Sequence, residues 1–113
     1  MGVDIRLVRI EQAGPGPRRR RIQPLKEVGD PSSEFARTLE RVAHDGRTPT
    51  LARIDLHGSL ELSSGEMDLL LDDLDRLVAD APDPDQRRQL SALIGLAREC
   101  AASPGTALIF EGD

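Results

Sequence analysis

Four aspartates are the first residues in this chain that could do chemistry. Asp68, Asp72, Asp73 and Asp75 fall within eight positions. Asp68 and Asp72 are four apart, a spacing that lines up carboxylates along one side of a helix. Holding a divalent cation takes several oxygens converging from different stretches of backbone. One helix offers two or three, and no loop with EF-hand spacing accompanies them. The pattern predicts a solvated acidic face or an electrostatic docking face for a basic protein, and no metal site.

His57 is the second candidate. In Asp55-Leu56-His57 an extended backbone places the acid and the imidazole on one side, where the ring could act as a general base or a ligand. An enzyme would need a pocket joining His57, Asp55 and Arg53. No Ser or Cys nucleophile in a recognisable elbow accompanies them, and His44 falls where a protonated ring complements a helix C-terminus. The expectation is an exposed turn residue beside the acidic face.

Arg18, Arg19, Arg20 and Arg21 form the third candidate. A basic loop can neutralise phosphates with salt-dependent affinity. The chain has only two aromatic residues, Phe35 and Phe110, and no RNA-binding signature beside the arginines. A nucleic-acid-associated accessory role through these arginines is the alternative reading. Contact with acidic lipid, or with the chain's own acidic helix, would use the same charges. Cys100 is the single cysteine and falls on an apolar stripe, where burial makes a thiol inert. No GxGxxG, P-loop, HExxH or GxSxG motif occurs, so neither an enzyme nor a cofactor is expected.

The elements that would position these residues can be read in order. Val3 to Ile10 alternates as a strand, either buried on both sides or bulged near Leu7-Val8. Residues 11–21, rich in Gly, Pro and Arg, predict an exposed, mobile loop. Ile22 to Val28 can pair back on the first strand, with Pro24 confining it to an edge. Asp30-Pro31 predicts a helix start, and Phe35, Leu39 and Val42 predict an amphipathic helix over 32–44, ended by Gly46. Thr50 to Leu56 reads as a central strand that turns at His57-Gly58 into a short return strand, Ser59 to Leu62.

Ser63 and Glu66 have capping-box spacing at the start of a long helix. Met67, Leu70, Leu71, Leu74, Leu77, Val78 and Ala81 form its apolar stripe, with the acids covering the remainder. Pro82 stops it. Asp83 caps a second helix with Pro84 at its first position, and Leu90, Leu93, Ile94, Ala97, Cys100 and Ala101 repeat the stripe. So short a link forces the two helices antiparallel, stripe to stripe. Leu69 and Leu96 fall off the stripes. Thr106 to Phe110 closes the chain as a strand whose expected neighbour is the first. The prediction is one α+β domain over 1–113: a small, mainly antiparallel sheet of three to four strands, covered by an antiparallel helix pair plus one short helix.

Composition limits the partners. The net charge of −5 divides into +3 over residues 1–30 and −8 over residues 31–113. An acidic surface of this kind bears on solubility and association. One cysteine allows no internal disulfide and fits a reducing, cytoplasmic setting. Neither a signal peptide nor an apolar run long enough to span a membrane is present. Open sheet edges and apolar residues off the stripes would permit a homodimer.

Over residues 51–113 the order of a strand, a polar turn with Gly58, a helix pair and a closing strand ending Phe110-Glu111-Gly112-Asp113 resembles a group of small uncharacterised bacterial proteins. More loosely it is similar to the small acidic immunity proteins that neutralise toxins. That resemblance implies a protein-binding module and assigns no residue. The −8 of residues 31–113 and the missing catalytic motifs predict a non-enzymatic module that docks a basic protein, with Asp68, Asp72, Asp73, Asp75 and His57 as its contact residues.

Overall fold

A computed structural model describes residues 2–12, 20–44, 46–81 and 83–112. The fold is α+β. Strand β1 (Val3–Gln12) pairs with β2 (Arg20–Val28), and after helix α1 (Glu34–Val42) come β3 (Ser59–Ser63), α2 (Met67–Asp80), α3 (Pro84–Ala102) and β4 (Thr106–Gly112). The four strands form one antiparallel sheet in the order β2-β1-β4-β3. The closing strand does lie beside the first, which supplies the partner a terminal apolar strand needs.

Alternation decides which face of the sheet is covered. Ile5, Phe110 and Leu60 stand in one cross-strand row, and Leu7, Leu108 and Leu62 in the next. These rows meet Met67, Leu70, Leu74 and Leu77 of α2, Leu90, Leu93, Leu96, Ala97 and Cys100 of α3, and Phe35, Leu39 and Val42 of α1 in a single aliphatic core. Leu96 belongs to this core, against the expectation that it lies off the stripe. It follows Leu93 by three positions and precedes Cys100 by four, so the helix turns it inward. Ala101, expected on the stripe, is exposed.

Pro24 stands on the edge strand, as its missing N–H requires. Leu7 pairs with Lys26 and Val8 with Pro24, so Leu25 is an extra residue in β2 and the register shifts there. Val8 faces the side of the sheet away from the helices and is nonetheless buried, opposite Ala107. The bulge and the two-sided burial expected as alternatives occur together.

Three expected elements change. The predicted loop over 11–21 is narrower, because Glu11 and Gln12 continue β1 while Arg20 and Arg21 begin β2. The remainder of that loop, 13–19, lies outside the described residues. The helix predicted over 32–44 is α1 at Glu34–Val42, entered through Ser33 in a left-handed conformation with φ 58.

The predicted strand at 50–56 does not exist. Leu51–Arg53 is a 3-10 turn, and the segment runs on irregularly to a bend at Asp55–Gly58 before β3. Its backbone is anchored by a side chain instead of a neighbouring strand, as described below. The bend is then locked to the sheet, where the Gly112 amide donates to the Gly58 carbonyl at 2.8 Å. A Cβ on Gly112 would collide with the Leu56 carbonyl. Gly112→Ala is therefore expected to destabilise by about 2 kcal/mol, the scale of overpacking at a close approach, measured by urea unfolding. An unchanged midpoint would show that the bend is free to move away.

Candidate functional site

Helix α2 begins as its sequence dictates. Ser63 and Glu66 form a complete capping box, in which Glu66 accepts from the Ser63 amide at 3.2 Å. A short 3-10 turn, Ser64–Glu66, leads into Met67. Asp83 likewise caps α3, accepting from the Asp85 amide at 3.0 Å with Pro84 at the first position. The helix pair thus sets the orientation of the acidic residues.

That orientation splits the four aspartates. At 3.6 residues per turn, Asp68, Asp72 and Asp75 project about 140° to 160° away from Leu70, the centre of the buried stripe. All three are exposed and take part in no ion pair among the described residues. Asp73 projects only about 60° from Leu70 and is 2% exposed. It is not part of the outward face, a correction to the expectation above. Its Oδ2 accepts the amides of Thr50 at 2.8 Å and Leu51 at 3.0 Å, and its Oδ1 accepts from Arg76 at 3.1 Å. This carboxylate takes the hydrogen bonds that a strand ladder would otherwise have supplied, which is why 50–53 turns instead of extending.

Beside the three free carboxylates stands Leu69, 59% exposed and the most exposed large apolar side chain described. It is the apolar surface off the stripe that the sequence predicted. An acidic face with one apolar residue at its margin can attract a basic surface at long range and then exclude water at one point.

His57 sits elsewhere. It is exposed and lines a small cavity with Ser33, Ala36, Arg37 and Glu40 on and beside α1, not with the α2 acids. Asp55 is committed to the bend, accepting the His57 amide at 2.8 Å. Arg53 reaches toward Glu66 at 3.9 Å. Neither Asp55 nor Arg53 lines the His57 cavity, so the pocket that an enzyme reading requires is not assembled from these residues.

Of the arginine run, Arg18 and Arg19 lie outside the described residues. Arg20 donates to Glu61 of β3 at 2.6 Å across the sheet, an internal contact with a strand and not with the acidic helix. Arg21 is exposed on β2. Cys100 is fully buried, and desolvation pushes its thiol pKa up despite a hydrogen bond with Thr106. Among the described residues no group of three or more His, Cys, Asp or Glu side chains is placed to hold a metal ion. No described helix is long and apolar enough to cross a membrane.

Two features escape the sequence. Asp30, expected as a simple N-cap, is a buried junction between β1, α1 and α3. Arg41, Arg47 and Arg76 line one cavity with Thr48, although up to 35 positions separate them. Nothing in the local pattern brings these arginines together. No family model, curated protein or solved structure matches the chain.

Proposed function

We propose that this protein is a non-enzymatic, cytoplasmic binding module that docks a basic protein partner through the outward face of α2. The loose likeness to small acidic immunity proteins in size, acidity and architecture is in keeping with this reading. The observation that carries the reading is the grouping of Asp68, Asp72 and Asp75, exposed and without ion pairs among the described residues, around exposed Leu69. Elsewhere on the surface Glu61, Glu66, Asp80, Glu99 and Glu111 are neutralised by internal pairs. Asp68, Asp72 and Asp75 have no such compensation among the described residues and project their field outward. Exposed charges of this kind accelerate encounter, and a buried apolar anchor supplies most of the lasting affinity.

The test is affinity capture of partners, followed by binding kinetics with the recovered protein. Changing Asp68, Asp72 and Asp75 to Asn together is expected to slow association at least tenfold at low salt, with the difference shrinking at high salt. Leu69→Ala is expected to speed dissociation. A partner that binds the triple variant with unchanged rates would remove α2 as the docking face.

A further inference from the structure

One cavity is lined by residues of α1, the following loop and the C-terminal half of α2, none of them among Asp68, Leu69, Asp72 and Asp75. It has a volume of about 380 Å³ and is walled by Arg41 and Val42 of α1, Arg47 and Thr48 of the following loop, and Arg76, Leu77 and Asp80 of α2. Three guanidinium groups therefore share a wall with a single lining carboxylate among the described residues, in a chain whose residues 31–113 carry −8. Two nearly buried apolar side chains, Val42 and Leu77, line it as well.

Thr48 lines the cavity with its hydroxyl closed off from solvent, so the hydroxyl reaches a ligand there only by a turn of the side chain. The residue is 3% exposed, and its hydroxyl is the one buried side-chain polar atom without a hydrogen-bond partner among the described residues. Leaving such a group unpaired costs stability, so a native orphan calls for an explanation. A hydroxyl can donate to an anion held by the neighbouring arginines.

Two of the three arginines, Arg76 and Arg47, are held by neighbours. Arg76 spends Nη1 on the Arg47 carbonyl at 2.9 Å and on Asp73 at 3.1 Å. Its Nη2 and Nε donors are on the other arm of the guanidinium fork. Arg47 is braced by Asp80 at 3.0 Å. Arg41 makes no ion pair among the described residues. Pre-oriented forks are suited to phosphate, whose several oxygens can each take a donor from a different segment. A carboxylate has only two oxygens to offer.

We propose that this cavity binds a phosphate monoester, with Arg41, Arg47, Arg76 and Thr48 on the phosphoryl group and Val42 and Leu77 against the ester carbon. Inorganic phosphate presents the same oxygens without the apolar part. Its lining includes none of Asp68, Leu69, Asp72 and Asp75, and its test does not depend on a protein partner.

The experiment is an amide NMR titration of the full chain at constant ionic strength, with glycerol phosphate, inorganic phosphate and acetate as probes. Saturable shifts around Arg41, Arg47, Thr48 and Arg76 are expected with the two phosphates and not with acetate. Tighter binding of the ester assigns a role to the apolar wall; tighter binding of inorganic phosphate overturns the ester assignment. Thr48→Val removes the hydroxyl at nearly constant shape, and Arg41→Gln removes a charge on an exposed helix position. Each is expected to weaken phosphate binding at least tenfold. Thr48→Val is also expected to keep or raise the melting temperature of the ligand-free protein, which separates lost binding from lost folding. Absence of saturable shifts at 10 mM of either phosphate, or shifts equal in parent and both variants, overturns the proposal.

Discussion

Asp73→Ala is expected to lower stability by about 3 kcal/mol, although aspartates on either side of it can be exchanged with little effect. Its Oδ2 is the acceptor for two consecutive amides, Thr50 and Leu51. Both lie at buried residues, so removing the carboxylate leaves two donors that water reaches poorly. Each stranded donor costs about 1–3 kcal/mol. For a chain of this length the loss corresponds to a fall in melting temperature of roughly 10–15 °C. Asp73→Asn keeps an acceptor oxygen but turns an NH2 group toward Arg76, so about half the loss is expected. Arg76→Ala is the control. Its side chain is half exposed, and the pair it makes with Asp73 is worth less than about 1 kcal/mol. Hydrogen exchange should show the amides of 50–54 opening first in the Asp73 variants. A melting temperature for Asp73→Ala within 3 °C of the parent would show that the 50–53 turn holds itself.

The same residue shows why the sequence was only partly legible. Local rules placed both caps of the helix pair, because the capping box and the Asp-Pro start act within four residues. Periodicity placed the stripe of α2 and the outward set Asp68, Asp72 and Asp75. It also contained the position of Asp73, three residues after Leu70 and four before Leu77, but residue type argued for solvent and the spacing argued for the core. The competing information was the need of a segment 22 or 23 positions upstream for an acceptor. Thr50 to Leu56 alternates as a strand would, and only the distant carboxylate turns it away from the sheet. The arginine cavity fails in the same manner. Its arginines come from α1, a loop and α2, and their meeting is a product of the fold rather than of spacing. Leu25 and Val8 show the intermediate case, in which apolar residues on both faces of a strand announced an irregularity without showing that the extra residue lies in the partner strand.

Asp30 carries the second large effect, and pH makes it separable. Its Oδ2 accepts from the amides of Val3 and Ala36, each at 3.0 Å. Its Oδ1 accepts from the Phe35 amide and from Gln89, also at 3.0 Å. One carboxylate thus ties the start of β1, the first turn of α1 and the flank of α3. Burial pushes its pKa up, but the hydrogen bonds to Gln89, Val3, Phe35 and Ala36 outweigh that and hold it below its ordinary value of 3.8. A carboxylate whose pKa is lower in the folded state binds protons more readily when unfolded. Its contribution is therefore complete above pH 3.8 and is lost as pH falls through the lower folded value. Glu34 works in the opposite sense, since desolvation and the neighbouring Asp83 push its pKa up. The comparison is for this reason made between parent and variant at each pH. Asp30→Ala is expected to lose about 3 kcal/mol or more at pH 7 by stranding three backbone donors. Asp30→Asn keeps part of the geometry but not the charge, so its deficit against the parent should be constant from pH 7 to pH 5 and shrink below pH 3.8. Urea unfolding across that range measures it. A deficit that stays the same down to pH 2 would mean that the charge of Asp30 adds nothing, and that its oxygens serve only as neutral acceptors at the junction of β1, α1 and α3.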